Sequence, residues 1–189
     1  MSMGWILLII LIGLVLWAVG VYNGLVTRRQ RANQAFADID VQLKQRHDLI
    51  PNLVETVKGY AAHEKGTLEA VVQARNTALS APQGSPQQAQ AEAQLTGALG
   101  RLIALSEAYP DLKANANFQQ LQTELSDIEN KLAAARRFFN SAVSEYNASI
   151  ESFPAVLLAR QFGFQPREFF DVGTESRTAM DAAPPSVKF

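Results

Sequence analysis

The chain of 189 residues contains no cysteine. This absence excludes disulfide bonds, thiolate metal sites and a cysteine nucleophile, but it assigns no compartment, because reducing and oxidising environments both tolerate it. The sequence also lacks a GxGxxG fingerprint, a Walker loop and a GxSxG motif. A net charge of −1 gives no electrostatic basis for binding nucleic acid. We therefore expect no nucleic-acid partner and no cofactor.

The N-terminal part of the sequence lacks charged residues, and the first one is Arg28. Residues 3–22 form an uncharged run, MGWILLIILIGLVLWAVGVY. As a helix this run would span about 30 Å, the thickness of the hydrocarbon core of a bilayer. Trp5 and Tyr22 lie near its two ends, where aromatic side chains favour the membrane interface. The run predicts a transmembrane anchor over residues 1–22, with membrane lipid as its partner.

A cleaved signal peptide is the main alternative to an anchor, since Ala18-Val19-Gly20 has the small-x-small pattern of a processing site. No basic residue precedes the apolar run, however, and the run is longer than the usual apolar region of a signal peptide. We therefore expect the segment to remain attached.

The charges that follow the run bear on orientation. Arg28, Arg29 and Arg31 come directly after it. Because positive charge is retained on the cytoplasmic side, they predict a single-pass protein of the inner cell membrane with a cytoplasmic body. An extracytoplasmic body stays open as the alternative, since few residues flank the run.

Three glycines, Gly13, Gly20 and Gly24, fall on one face of the predicted helix, and the last two have GxxxG spacing. Small residues in this pattern allow two membrane helices to approach closely. The alternative is that glycine is simply common in membrane helices. We expect a homo-oligomer, and protein partners of other kinds stay unknown.

The rest of the chain has helical periodicity. Residues 111–153 contain neither glycine nor proline. Within them large apolar side chains recur every seven residues, as in the seam of a coiled coil: Phe118, Leu125, Leu132, Phe139, Tyr146 and Phe153. The pattern predicts one long helix whose Leu132 and Phe139 are buried.

The remaining helices are bounded by proline and glycine. A first helix is expected from Asn23 to His47, ending in a kink or turn at Asp48-Leu49-Ile50-Pro51. Further helices are expected over residues 51–80, 87–108 and 155–162, and residues 80–86 form a loop rich in glycine, proline and serine.

Together these segments predict an all-α fold: a single N-terminal transmembrane helix, then an elongated antiparallel bundle of about four helices with a short C-terminal helix. The predicted domains are the anchor at 1–22, the bundle at 23–170 and a disordered tail at 171–189.

Half of the ten phenylalanines fall between Phe153 and Phe170. The expected role of this aromatic segment is to cover one end of the bundle. The alternative is a surface for a partner or the membrane, because so apolar a cluster would otherwise be an exposed patch.

Groups for catalysis or metal binding are few. In the Arg46-His47-Asp48 run, adjacent helical residues point about 100° apart, so His47 and Asp48 would not form a hydrogen bond without a kink. His63-Glu64 lacks the second histidine of a zinc helix. The acidic residues near the first helix do not form the Glu-x-x-His pairs of di-iron bundles: Asp38, Asp40, Asp48 and Glu55. We expect no catalytic, cofactor-binding or metal-binding residue.

Several stretches resemble the LemA family of bacterial membrane proteins. They are Tyr22-Asn23-Gly24-Leu25-Val26, residues 41–64 (VQLKQRHDLIPNLVETVKGYAAHE), 109–118 (YPDLKANANF) and 129–147 (ENKLAAARRFFNSAVSEYN), Phe153-Pro154 and Phe162-Gly163-Phe164. The resemblance implies one N-terminal membrane anchor carrying an elongated helical domain, and it implies no enzyme activity. Some relatives carry a lipoprotein signal in place of the anchor. Without a cysteine, lipidation is not expected here.

Two functional hypotheses follow. The first is a non-enzymatic, membrane-anchored scaffold or adaptor that self-associates. The alternative is a helical domain with an unrecognised enzymatic or cofactor site, or a sensing or accessory subunit of a membrane complex. An internal polar cluster whose carboxylates have perturbed pKa values would favour an enzyme, and a uniformly apolar interior with self-complementary outer surfaces would favour assembly.

Overall fold

The computed structural model describes residues 3–170, and within them it contains helices, turns and no β-strand. This confirms the all-α prediction. The helices are, in chain order, α1 (Met3–Lys58), α2 (Lys65–Ser80), α3 (Pro86–Ser106), α4 (Pro110–Lys113), α5 (Ala116–Glu151) and α6 (Ala155–Gln161). The predicted short C-terminal helix is therefore present as α6, and the predicted disordered tail lies outside the described residues.

Helix α1 begins in the apolar run and continues without interruption for 56 residues. Its most apolar stretch is long enough to cross a membrane, and none of that stretch is buried. Large apolar side chains such as Leu7, Leu11 and Leu16 are exposed. Exposure of this kind is costly in water but favourable in lipid, so the structure agrees with a candidate transmembrane helix.

The turn that Pro51 could form at Asp48-Leu49-Ile50-Pro51 is not present, because α1 runs through Pro51 to Lys58, and a kink at this point stays a prediction. A proline inside a helix leaves the carbonyl four residues earlier without its amide donor. That carbonyl belongs to His47, and Nε of Arg75 on α2 donates to it at 2.8 Å. A side chain from another helix thus replaces the missing hydrogen bond, which offsets part of the cost of Pro51.

The second predicted helix, 51–80, is divided in two. The amides of Tyr60 and Ala61 both bond to the carbonyl of Val57, which ends α1, and α2 begins at Lys65. Ala61 is buried, and Asn115 donates to the hydroxyl of Tyr60 at 2.9 Å. Contacts with a segment distant in sequence therefore stabilise a turn that the local helical pattern does not indicate.

Capping side chains set the beginnings of α3 and α5. Oγ of the N-cap residue Ser85 accepts from the amide of Gln88, and Oε1 of Gln88 accepts from the amide of Gly84, one residue before the N-cap. Oδ1 of Asn115 accepts from the amide of Phe118 at 2.9 Å. The long predicted helix therefore begins at Ala116, after the separate turn of α4, rather than at Asp111.

The chain divides into two compact units, each described by itself. The ionic unit comprises residues 40–134 and Phe170, and the aromatic unit comprises residues 3–39 and 135–169. The ionic unit has a largely aliphatic core that includes Leu53, Val57, Val71, Leu95, Leu99, Leu102 and Leu112. The aromatic unit has a core of Leu25, Tyr146, Ile150, Ala159 and Phe164. The predicted domain boundaries stay predictions.

The seven-residue seam of α5 is buried along the helix, including Leu132 and Phe139 as predicted. Phe153 is the exception: it lies beyond the end of α5 and is 81% exposed.

Candidate functional site: a buried ionic cluster

Arg46 on α1 is the largest fully buried side chain of the described residues, and it lies in the ionic unit. Its Nη1 lies 3.0 Å from Oε2 of Glu92, and its Nη2 lies 2.8 Å from Oε1 of Glu129. The same Nη2 donates to the hydroxyl of Thr96 at 2.6 Å. The guanidinium therefore joins α1 to α3 and α5 through charge-assisted contacts, which are stronger than neutral hydrogen bonds.

His47 extends this cluster. Its Nε2 lies 2.9 Å from Oε1 of Glu92, the second oxygen of the carboxylate that pairs with Arg46. Since Arg75 of α2 donates to the carbonyl of His47, the cluster involves all four long helical segments of the ionic unit. One guanidinium thus faces two carboxylates, and the imidazole of His47 lies beside one of them. We refer to Arg46, His47, Glu92, Thr96 and Glu129 as the ionic cluster.

The periodicity of the helices explains why these charged side chains are inside. Glu92 precedes Leu95 by three residues, so it continues the apolar face of α3. Arg46 follows Leu43 by three residues and precedes Ile50 by four, so it occupies the core face of α1. The helices carry these residues into the core, where each must find an oppositely charged partner.

The sequence patterns identified neither Glu92 nor Glu129 as part of a cluster. The side chain of Glu129 is only 34% exposed and contacts Arg46. A signal was present for Glu92, because it stands three residues before Leu95 and seven before Leu99, where the apolar repeat of α3 favours a hydrophobic residue. A charge on the apolar face of a helix indicates a buried partner elsewhere.

His47 and Asp48 do not act as a pair. Asp48 lies 2.6 Å from Nζ of Lys44, one turn earlier on the exposed side of α1, whereas His47 faces Glu92. The hydrogen bond from Lys44 lowers the pKa of Asp48 below its ordinary value. The sequence-based expectation that the two side chains diverge agrees with this geometry.

The second histidine, His63, is exposed, and its neighbour Glu64 accepts from the hydroxyl of Tyr109 at 3.1 Å. That hydrogen bond raises the pKa of Tyr109, because it favours the protonated phenol. Across residues 3–170, no three histidine, aspartate or glutamate side chains form a group that could hold a metal ion. The expectation of no catalytic, cofactor or metal residue stays a prediction.

A surface pocket of about 380 Å³ reaches one side of the cluster. It is lined by Asp40, His47, Asp48 and Gln88 among others. Burial raises the pKa of Asp40 above its ordinary value. Arg46 and Glu92 do not line this pocket, so a ligand there would contact His47 but would not reach the guanidinium–carboxylate pair.

The contacts of the ionic cluster give it a structural role, which is to hold helices against one another. Removing two charges from water is unfavourable, and their mutual attraction in good geometry offsets much of that desolvation free energy. Because the partners come from three helices, any other register of these helices would leave a buried charge unpaired. The arrangement selects one packing of α1, α3 and α5.

The exposed apolar beginning of α1 and the all-helical body define a membrane-associated α-helical protein. Comparison with known proteins identifies the family within this class. The chain belongs to the LemA family, whose family model matches residues 35–189.

Named relatives include magnetosome proteins. Magnetosome protein MamQ of Magnetospirillum gryphiswaldense is 28% identical over 174 residues, covering 79% of this chain and 64% of that protein. Magnetosome protein MamQ 2 of Paramagnetospirillum magneticum is 27% identical over the same shares. Protein LemA of Metamycoplasma hominis is 24% identical over 165 residues, covering 87% of this chain and 75% of that protein. The chain thus spans less than two thirds of the MamQ proteins.

Proposed function

We propose that the protein is a non-enzymatic, membrane-anchored scaffold or adaptor whose copies associate in the plane of the inner membrane. The observation that carries the proposal is the continuity of α1 from its exposed apolar stretch into the core of the aromatic unit. Leu25, three residues after the predicted span, is already buried. No flexible linker separates the anchor from this unit, so the membrane fixes the orientation in which the unit is presented.

A fixed orientation favours assembly. Subunits held in one plane and one orientation lose little further orientational entropy when they associate. Weak contacts between them are therefore enough to form an oligomer. The glycine face of the anchor offers such a contact: a Cβ added at Gly13 or Gly20 would meet no other atom, so this surface is open to a second helix.

The test is the oligomeric state of the full-length chain in lipid discs and mild detergent, measured by light scattering. We expect a multimer that weakens on Gly20→Leu. Gly4→Leu is the matched control, because Gly4 is equally open but lies about 160° away from Gly20 around the helix. A monomer at every concentration would contradict self-association, and equal effects of the two substitutions would contradict the glycine face as the contact.

The proposed placement of the body is cytoplasmic, supported by Arg28, Arg29 and Arg31 after the span. Protease added outside intact spheroplasts should then leave the body uncut. Ready digestion from outside would place it on the other face of the membrane.

An enzymatic or ligand-binding role is the alternative, and the position of His47 in an open pocket beside Asp40 favours it. A small-molecule screen by thermal shift would distinguish the two roles. A ligand that raises the melting temperature of the parent chain but not of His47→Asn would support the alternative, and the scaffold proposal expects no such ligand.

A further inference from the structure

The aromatic segment at 153–170 has both buried and exposed apolar side chains. One side of it is buried: Ala159 and Phe164 pack with Leu25 and Tyr146. Other large apolar side chains of the segment are left uncovered, Phe153 at 81%, Leu157 at 63%, Phe162 at 58% and Phe169 at 51% exposure. So much apolar surface from one short segment in contact with water is unfavourable and indicates an interaction surface.

Contacts with α1 fix the level of this surface relative to the predicted span. The ring of Phe162 lies 5.1 Å from that of Tyr22, the last residue of the apolar run, and the ring of Phe164 lies 5.7 Å from it. The guanidinium of Arg29 lies over Phe164 at 5.0 Å. The exposed ring of Phe162 is therefore adjacent to the point where α1 leaves the hydrocarbon core.

A groove of about 500 Å³ gives a second, independent measure of this level. It is lined by Trp17, Gly20 and Gly24 of α1 on one side, and by Ser152 and Ala155 on the other. Trp17 lies five residues before Tyr22, about 7.5 Å deeper along a helix. The end of α5 and the beginning of α6 thus reach the level of the last turns of the span.

We propose that α6 and the residues around it lie in the bilayer interface, with Phe153, Leu157 and Phe162 inserted at the boundary between headgroups and acyl chains. The chain would then contact one leaflet twice, once through the span and once through α6. The inference rests on residues 3–22 crossing the membrane, as in the proposed function, but not on self-association.

The bilayer is favoured as the occupant because the surface continues the membrane-spanning one. Aromatic side chains are at their most favourable in the interfacial region, and short apolar elements can lie there parallel to the membrane. Cationic side chains suit the neighbouring phosphates: Arg28 lines the groove, and Arg160 is exposed on α6. An apolar surface with basic side chains beside it fits anionic lipid.

The absence of cysteine makes a direct test practical, because a single introduced cysteine is the only labelling site. Spin labels would be placed at Leu157→Cys and Phe162→Cys in the full-length chain, reconstituted into phosphatidylcholine vesicles that contain phosphatidylglycerol. Both positions are largely exposed, so the substitutions remove little core packing, and circular dichroism would verify folding. The measured quantity is the accessibility of each label to lipid-soluble oxygen relative to a water-soluble nickel complex.

Two matched sites calibrate the scale. Val19→Cys is exposed within the predicted span, and Arg137→Cys is exposed on α5, twelve residues before Ser149. We expect oxygen-to-nickel ratios at Leu157 and Phe162 several-fold above that at Arg137 and below that at Val19.

The possible failures are distinguishable. Ratios at Leu157 and Phe162 equal to that at Arg137 would overturn the inference while leaving the anchor and the scaffold proposal intact. Protection from both reagents would overturn it in favour of a protein partner on this surface, including a second copy. A water-like label at Val19 would overturn the span itself, and with it this inference.

Discussion

The ionic unit and the aromatic unit are both helical, but they obtain specific packing by different means. In the ionic unit an aliphatic core surrounds Arg46 and Glu92, which are excluded from water and pair with each other. The aromatic unit instead combines rings with polar contacts to the backbone. Tyr146, buried in its core, donates to the carbonyl of Gln165 at 3.0 Å.

The aromatic unit also secures a segment that has no regular structure of its own. The side-chain amide of Asn147 donates to the carbonyl of Arg167 and accepts from its amide, both at 2.9 Å. The rings of Phe36 and Phe139 meet edge to face at 5.5 Å. In the ionic unit a buried ion pair penalises other registers of an aliphatic core, whereas in the aromatic unit rings and paired amides make directional contacts.

The largest expected effect is in the ionic unit. Arg46→Ala would leave the buried carboxylate of Glu92 without its main partner, and we expect a loss of about 3 to 5 kcal/mol in the free energy of unfolding. Urea denaturation of the full-length chain in mild detergent, followed by circular dichroism, would measure it. Lys44→Ala is the control on the same helix, because its pair with Asp48 is exposed and screened by solvent, so its removal should change the free energy of unfolding far less. A cost below 1 kcal/mol for Arg46→Ala would remove the distinction between the units.

The seam of α5 should respond nearly as strongly. Leu132 is fully buried, so Leu132→Ala should cost about 2 to 5 kcal/mol through lost burial and a residual cavity. Arg137→Ala, on the exposed face of the same helix, should cost under about 0.5 kcal/mol. The same denaturation experiment applies, and similar costs for the two substitutions would contradict the heptad seam.

A smaller effect is expected from the aromatic unit. Tyr146→Phe keeps the ring but leaves the carbonyl of Gln165 without its donor, and it should cost about 0.5 to 1.5 kcal/mol. Thermal unfolding would measure it, with Tyr60→Phe as a control whose hydroxyl is at the surface. A cost as large as that of Arg46→Ala would show that both units depend equally on polar pairing.

The same tyrosine predicts a pH dependence. Burial raises the pKa of Tyr146 above its ordinary value of about 10, although Arg29 and Arg167 partly oppose the shift. The unfolded chain therefore loses this proton first, and stability should fall as pH rises above about 10. Tyr109, whose pKa is also raised, is replaced by Phe in both chains compared. Adding Tyr146→Phe should reduce the fall in stability above pH 10. An unchanged dependence of stability on pH would contradict the assignment of this effect to Tyr146.

The smallest effect concerns a surface ion pair of the aromatic unit. Nη1 of Arg31 lies 3.0 Å from Oε2 of Glu145, with both side chains about half exposed. Solvent and salt screen such a pair, so a double-mutant cycle of Arg31→Ala and Glu145→Ala should give a coupling of about 0.2 to 1 kcal/mol. The coupling should decrease when salt is raised. A salt-independent coupling above this range would show that this unit, too, relies on ion pairs.

Local patterns in the sequence determined much of the fold. The uncharged run at residues 3–22 predicts an exposed apolar helix, because twenty consecutive residues of this composition are more stable in lipid than in water. The seven-residue repeat predicts the buried seam of α5, since periodicity alone decides which face of a helix is apolar. The short helix after Pro154 also follows from local signals.

Contacts between distant residues decided the rest. Pro51 predicts a kink or a turn, but the helix continues, and Arg75 on another helix donates to the carbonyl that Pro51 leaves free. Glu92 and Arg46 are 46 positions apart, so no local pattern pairs them, although each stands out as a charge on an apolar face. Periodicity predicts which side chains are inside, and only the packing of one helix against another decides which buried polar groups meet, because each must find its partner among all the groups that burial brings together.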